Sequence, residues 1–531
     1  VKDPEMLDYY APGGLEGQII LDPMMGGGTT IHEAIRLGAN VIGADIDPIP
    51  VVQVRGSLLS VSLRHLEEVF SSVITTLRSR IAPYFLSHCP LCGLTSEVCF
   101  MLYGLRARCS CNEVIAVDSL VLRDESDGTA INLCPVCGEV YLGSGARTDS
   151  HCPNCLPQSK VRIVPKSTRR CPTCGDPFSE DTRVRYFERY TPVAVVVDCP
   201  SHGRQYASPT ATDLDLLREA DGRRETLGFG PLKSFAVSGG PKSGDLIRRG
   251  IRSYLDLFTS RQLLYMHESI ALVKSLEKAD RLLISLLIST SLEFNCLLCG
   301  YKGGDRRRPG AIRHVFSHHA YSFPHTALEN NPVHLSKSSG TLTNLFHMRI
   351  RRGRLWARSP KERVVGDGQV KTVTLRGEID FGTEVDLAGD LMTGSGKFLL
   401  FQGSSTSLDL PDDFVDHVVT DPPYYDNVQY SDLASFFRVW LAKLLPDEAD
   451  WSYDQREVAV DHDGTASDHY ARMLGSIFAE CYRVLKKDTG RLVFTFHHWK
   501  PRGWASLAQA LKKAKFRLIA RYIVHSENPT S

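Results

Sequence analysis

The sequence has almost no excess of either charge and few long apolar runs. Its 62 Lys and Arg residues offset 61 Asp and Glu for a formal net charge of +1, so a polyanion has to be met by a local patch, because the chain as a whole supplies no attracting field. The apolar run Leu282 to Leu292 is too short to span a bilayer and is broken by Ser and Thr, which predicts a buried helix. No signal-peptide pattern is found, and a cytoplasmic location is expected. A glycine turn at residues 26–28 lacks the G-x-G-x-x-G spacing of dinucleotide folds and the Gly-Lys-Ser/Thr ending of a phosphate loop, which disfavours a phosphate ligand there. With 531 residues, 42% of them hydrophobic and 23% charged, the chain is long and apolar enough for several domains with buried cores.

Cysteine, by contrast, is plentiful: fifteen residues, most of them in short pairs. The pairs are Cys89-Pro-Leu-Cys92, Cys109-Ser-Cys111, Cys134-Pro-Val-Cys137, Cys152-Pro-Asn-Cys155 and Cys171-Pro-Thr-Cys174. Each pair at two-residue spacing reads as a zinc knuckle, and two knuckles complete a tetrahedron. Sequence order predicts Cys89 and Cys92 with Cys109 and Cys111, Cys134 and Cys137 with Cys152 and Cys155, and Cys171 and Cys174 with Cys199 and His202. These two to three zinc ions are expected to be structural, because filled coordination leaves no position for a reactive water. A disulfide framework is disfavoured by the knuckle spacing and the length of the chain. Cys99 is left over. Cys296 and Cys299 with His314 and His318 mimic a two-Cys, two-His finger, but a buried helix end is the preferred reading.

Two acidic strand ends define a ligand pocket. Ile19-Ile20-Leu21-Asp22-Pro23-Met24-Met25-Gly26-Gly27-Gly28-Thr29-Thr30 reads as a strand, a glycine turn and a helix from Thr30 to Leu37, in which glycine lets backbone approach a ligand. A second strand, Asn40 to Ala44, ends in Asp45-Ile46-Asp47-Pro48 and places the Asp45 carboxylate where ribose hydroxyls could bind. A nucleoside without phosphates fits this turn, and S-adenosylmethionine is one. Far downstream, Asp421-Pro422-Pro423-Tyr424 follows the apolar run Phe414 to Thr420. A ring-conjugated amino nitrogen is a poor nucleophile and must be held by acceptors; Asp421 offers a carboxylate, Pro422 a carbonyl, and Tyr424 a stacking face. Proline fixes φ and stiffens the turn.

Asp22 to Thr30, Asp45 to Pro48 and Asp421 to Tyr424 resemble the cofactor and catalytic motifs of amino-group DNA methyltransferases. The longer string from Asp421 to Trp440, with Cys-x-x-Cys pairs between the two halves, resembles more narrowly the adenine-specific DNA methylases that contain a zinc ribbon. The resemblance takes in most of the chain, including Gly250 to Tyr254, Arg261 to Leu264 and Val493 to His498. The turn Met-Met-Gly-Gly-Gly departs from the family's aromatic and Gly-Ser-Gly. The chain opens on Val1, so part of the family's N-terminal region is expected to lie outside it. The resemblance implies an α/β, doubly wound, Rossmann-like methyltransferase sheet split by a long insertion. It also implies a cofactor set of Asp22, Pro23, Gly26, Gly28, Thr29, Asp45, Ile46 and Ser404, and transfer from S-adenosylmethionine to adenine N6 of a flipped-out base in DNA. Methylation of cytosine N4 or of RNA, and a noncatalytic zinc-ribbon binder, stay open. Carbon-5 methylation is disfavoured, since Cys481 is remote from the loop.

The expected domains are 1–60 and 366–531 for the two parts of the core, 61–85 a helical connection, 86–210 the zinc-ribbon region, 211–245 a linker, and 246–365 a helical and basic insertion. Within the last, His347 to Arg363 gathers Arg349, Arg351, Arg352, Arg354, Arg358, Lys361 and Arg363 around Trp356, which reads either as a nucleic-acid contact or as a solvated basic loop.

Overall fold

Four short runs, Ile-Ile-Leu-Asp, Asn-Val-Ile-Gly-Ala-Asp, Lys-Phe-Leu-Leu-Phe-Gln and His-Val-Val-Thr, are apolar at nearly every position, the pattern of parallel strands covered on both faces. In the computed structural model they are β1 (Ile19–Asp22), β2 (Asn40–Asp45), β4 (Lys397–Gln402) and β5 (His417–Thr420), joined by β3 (Thr383–Glu384) and β6 (Arg491–Phe494). The structure describes residues 14–125, 127–144, 152, 155, 162–171, 173–305, 307–316, 319–366, 369–424, 430–452, 467–498 and 500–523. It divides into two compact units, one of residues 1–60, 356–431 and 447–531, the other of 61–355 and 432–446.

The first unit is built on a six-stranded sheet of order β3-β4-β2-β1-β5-β6 in which every neighbouring pair is parallel. Alternate residues serve opposite faces. Ile20, Val41 and Phe398 pack with helices α1 (Thr29–Arg36) and α2 (Pro48–Leu58), whereas Leu21, Ile42, Leu399 and Val418 pack with α3 (Ser467–Val484). A further helix, α4 (Pro501–Lys513), packs on α3 through Leu507 and Ala510. Helix starts follow local chemistry: Asp47 caps α2 by accepting from the Ile49 N–H at 2.9 Å, and Pro48 takes the first helical position.

Buried polar groups join the two separated stretches of this unit. Asn40 donates to the carbonyls of Leu391 and Gly394 and accepts from the Lys397 N–H at 2.9 Å. Arg36 and Glu378, both fully buried, meet at 2.6 Å. His32 stands 2.9 Å from Ser57 Oγ and 2.8 Å from Asp380. The cost of burying these groups is offset only while each keeps its partner, so they fix where the returning chain docks.

The second unit is organised around one 14-residue strand, Thr95–Arg108. On one side it pairs with Tyr190–Cys199, which pairs with Gly203–Ala207; on the other it pairs with Thr326–Asn330, leading to Gly300–Lys302 and Ala311–Arg313. Cysteine-bearing and helical stretches therefore share one sheet. Helices Leu63–Ile81, Ser260–Val273 and Lys278–Ser291 accompany it. The segment 211–245, expected to be a linker, instead carries the helix Ala211–Arg224, opened by a capping box between Thr210 and Asp213. Its polar composition hid it, because only Asp213, Ala220 and Arg224 are buried along 14 residues. The helix Tyr430–Leu444, which follows the Asp-Pro-Pro-Tyr loop in sequence, belongs from Asp432 onward to this unit. There Phe436 stacks on Phe258 and Trp440 meets it edge-on at 5.2 Å, while Asp432 accepts from the Lys242 and Ser243 N–H groups.

Candidate active site and cysteine clusters

In a parallel sheet all strands end at one edge, and a ligand crevice opens where the connections leave in opposite directions. Here β1 is followed in space by β2 on one side and β5 on the other, so that crevice lies at the ends of β1 and β5. Asp22 closes β1, Asp45 closes β2 and Asp421 follows β5 directly.

The turn after β1 is shaped for close approach. Gly28 has φ +80°, and a Cβ there would stand 2.5 Å from Val54, so a side chain is excluded twice over. Asp45 accepts from the Gly26 N–H at 3.0 Å and the Asp47 N–H at 2.9 Å, which binds the turn to the end of β2. Each carboxylate oxygen keeps a second lone pair for a ligand. Burial pushes Asp45 up to about 7 despite these bonds. Asp22 is likewise pushed up to about 6 by burial, although it accepts from the Met24 N–H at 3.1 Å. Pro23 is buried, and its carbonyl accepts from Ser405 Oγ at 2.5 Å, drawing the segment after β4 against the turn. Ser404 lies beside it, 2.9 Å from Thr406 Oγ1. Thr29 is exposed and Ile46 half-buried at the same edge.

The Asp421 carboxylate is exposed at the mouth. Its Oδ1 accepts from the Tyr424 hydroxyl at 2.5 Å and from the Thr495 hydroxyl. The Pro423 carbonyl accepts from the buried Tyr470 hydroxyl at 2.9 Å, and Pro422 is buried. Tyr424 meets Phe496 edge-on at 5.7 Å, and Phe496 meets Trp504 at 5.0 Å. Sequence reading missed Tyr470 and Thr495, whose partners depend on how α3 and β6 lie beside the loop. Cys481 is fully buried on α3, where burial raises its thiol, and it takes no part in this edge.

Among the described residues eleven cysteines and His202 form three groups of four, and two of these differ from the expected pairing. Cys134 and Cys137 meet Cys152 and Cys155, as the spacing predicts. Cys89 and Cys92, however, meet Cys199 and His202, while Cys109 and Cys111 meet Cys171 and Cys174. Sheet register is the reason. Leu86 and Asp198 both lie opposite Glu97, so the knuckle before Thr95 and the turn after Cys199 stand side by side. The bridge between Arg108 and Ser179 does the same for the second pair.

Ligands about 2.3 Å from a tetrahedral centre stand about 3.8 Å apart. The sulfur separations are 3.7 Å for Cys92 and Cys199, 3.6 Å for Cys111 and Cys171, 3.5 Å for Cys134 and Cys155, and 3.9 Å for Cys137 and Cys152. The donor sets thus fit a zinc-like ion in both kind and spacing. Gly93, Gly138, Gly175 and Gly203, each following a knuckle, have φ of +71°, +81°, +75° and +65°, the left-handed turn that folds N–H groups toward sulfur. The N–H groups of Cys174 and Thr173 hold the Cys171 thiol down to about 6.

Cys99 is not idle: it lies 3.9 Å from His334 Nε2 near Asp198. His334 Nδ1 accepts from the Ser336 N–H, which puts the ring proton of the neutral form on Nε2 and makes it a donor, not a metal ligand. Cys296 and Cys299 are buried 3.7 Å apart, and His314 faces Glu293; His318 lies outside the described residues. No metal group containing this set occurs among the described residues.

Of the basic run, Arg349, Arg351, Arg352 and Arg358 are exposed, whereas Arg354 is buried. Arg351 pairs with Glu67 at 3.0 Å. No helix among the described residues is long and apolar enough to cross a membrane. No protein family, curated protein or solved structure matches this chain.

Proposed function

We propose that the protein is an S-adenosylmethionine-dependent methyltransferase acting on adenine N6 in DNA, with structural zinc in its insertion. The observation that carries this reading is the meeting of Asp22, Asp45 and Asp421 at one edge of the parallel sheet, with a glycine turn between the first two and an aromatic beside the third. Asp45 suits the ribose hydroxyls of a nucleoside, and the turn, with no Lys or Arg of its own, suits a ligand without phosphates. Bound S-adenosylmethionine supplies an electrophilic methyl group.

Asp421 and the Pro422 carbonyl accept from the two N–H bonds of the exocyclic amino group and aim its lone pair at that methyl. A methyl group supplied by the cofactor would be accepted by the amino nitrogen held in this way, and the exposed Asp421 carboxylate would let the displaced amino proton pass to solvent. Tyr424 offers its ring to a base taken out of the stack. Thiolate-rich sites with four protein ligands hold zinc without an open position, which assigns them to folding rather than to the reaction.

The test is methyl transfer from labelled S-adenosylmethionine to unmethylated DNA, with the product nucleosides identified. N6-methyladenine formed by the parent chain and lost in Asp421→Ala supports the reading. N4-methylcytosine, label in RNA alone, or no labelled base would overturn the adenine and DNA assignment.

A further inference from the structure

Two hydroxyls donate to the same oxygen of Asp421. Their origins differ in a way that separates their roles. Thr495 comes one residue after β6, and its N–H still donates to the Thr420 carbonyl at 3.2 Å. The β5–β6 ladder therefore runs one step past the strands and fixes the Thr495 backbone relative to Asp421. Tyr424 is three residues along the loop itself, and its hydroxyl bonds back to Asp421 at 2.5 Å. The loop has a second anchor in α3, where Tyr470, fully buried, donates to the Pro423 carbonyl.

We propose that Thr495 is a positioning residue that sets the Asp421 carboxylate, and that the Tyr424 hydroxyl is a placeholder which an incoming amino group displaces. This rests on the amino-methyltransferase reading and specifies how that site is prepared. A carboxylate free to turn about two side-chain bonds and exposed to water has no preferred direction of its own; a donor fixed by the sheet gives it one. With Thr495 on one lone pair of Oδ1, the carboxylate is held in one orientation and the second lone pair of that oxygen is presented to another donor. The phenol occupies a donor's place at the same carboxylate until a substrate amino group arrives with N–H bonds of its own. Its release frees the ring to lie on the base.

Thr495→Val keeps the shape and removes the donor, while Thr495→Ser restores it. The expected result is a fall in kcat of about tenfold for Thr495→Val with KM for S-adenosylmethionine unchanged, and recovery to within about twofold in Thr495→Ser. Tyr424→Phe keeps the ring and removes the competing hydroxyl, and is expected to lower KM for the DNA substrate about twofold. A crystal structure of ligand-free Thr495→Val supplies a readout independent of turnover, with the Asp421 side chain leaving its present rotamer. Parental kcat and an unmoved Asp421 in Thr495→Val would overturn the proposal while transfer by the parent chain left the function standing. Loss of kcat in Tyr424→Phe as large as in Thr495→Val would overturn the placeholder role. A parent chain that methylates no base would overturn both.

Discussion

Burial works against the charge on Asp22, and that gives the residue a measurable signature. Its folded value of about 6 lies above the ordinary 3.8, so between those limits the folded chain holds its proton more tightly than the unfolded chain does. Its contribution to stability is intact below about pH 4, falls as pH rises through 6, and is lost above it. At full size the penalty is roughly 1–3 kcal/mol. Asp22→Asn is accordingly expected to raise the melting temperature at pH 8, with the gain shrinking toward pH 4; an equal gain at both would refute the assignment. In the proposed function Asp45, pushed up to about 7 by burial, accepts from ribose hydroxyls more strongly once it has lost its proton. Binding of S-adenosylmethionine, followed by calorimetry, should therefore tighten about tenfold between pH 6 and 8. Absence of that dependence would detach Asp45 from the ligand.

At the scale of elements, metal content tests the cysteine groups directly. Cys92→Ser and His202→Ala should each release one ion, and the double variant should release that same one. Combining Cys92→Ser with Cys109→Ser should release two, whereas pairing in sequence order would give one. This contrast also marks what was legible in the chain. Strand identities were readable because parallel strands such as Lys397–Gln402 carry an unbroken apolar run, Phe398 to Phe401, and the three acidic strand ends were readable because each directly follows such a run. Knuckles were readable singly, since Cys-x-x-Cys followed by glycine is a local device. Their partners were not, because a register such as Leu86 and Asp198 both opposite Glu97 is decided by a sheet assembled from distant segments. Thr495 was hidden for the same reason. The helix Ala211–Arg224 escaped because so little of it is buried that no apolar period shows.

At the scale of the whole molecule, all three cysteine groups fall within residues 61–355 and 432–446, and none in the parallel-sheet unit. Trp440 is the one tryptophan of that second set, and it is fully buried. A strong chelator is expected to lower the melting temperature of that unit alone, with a change in tryptophan emission that disappears in Trp440→Phe; an emission change of parental size in that variant would show that the metals support the other unit as well. The ligand groups have one more consequence, which comes from their order along the chain. Cys92 to Cys199 spans 107 residues, Cys111 to Cys171 spans 60 within it, and Cys137 to Cys152 spans 15 within that. They close like brackets inside brackets, with none crossing another. Each inner closure shortens the free loop left for the next, saving about 1 kcal/mol or less of chain entropy at every step, so metal loading from the inside outward is the cheapest path. The innermost bracket can then be lengthened or cut out without opening either of the two around it.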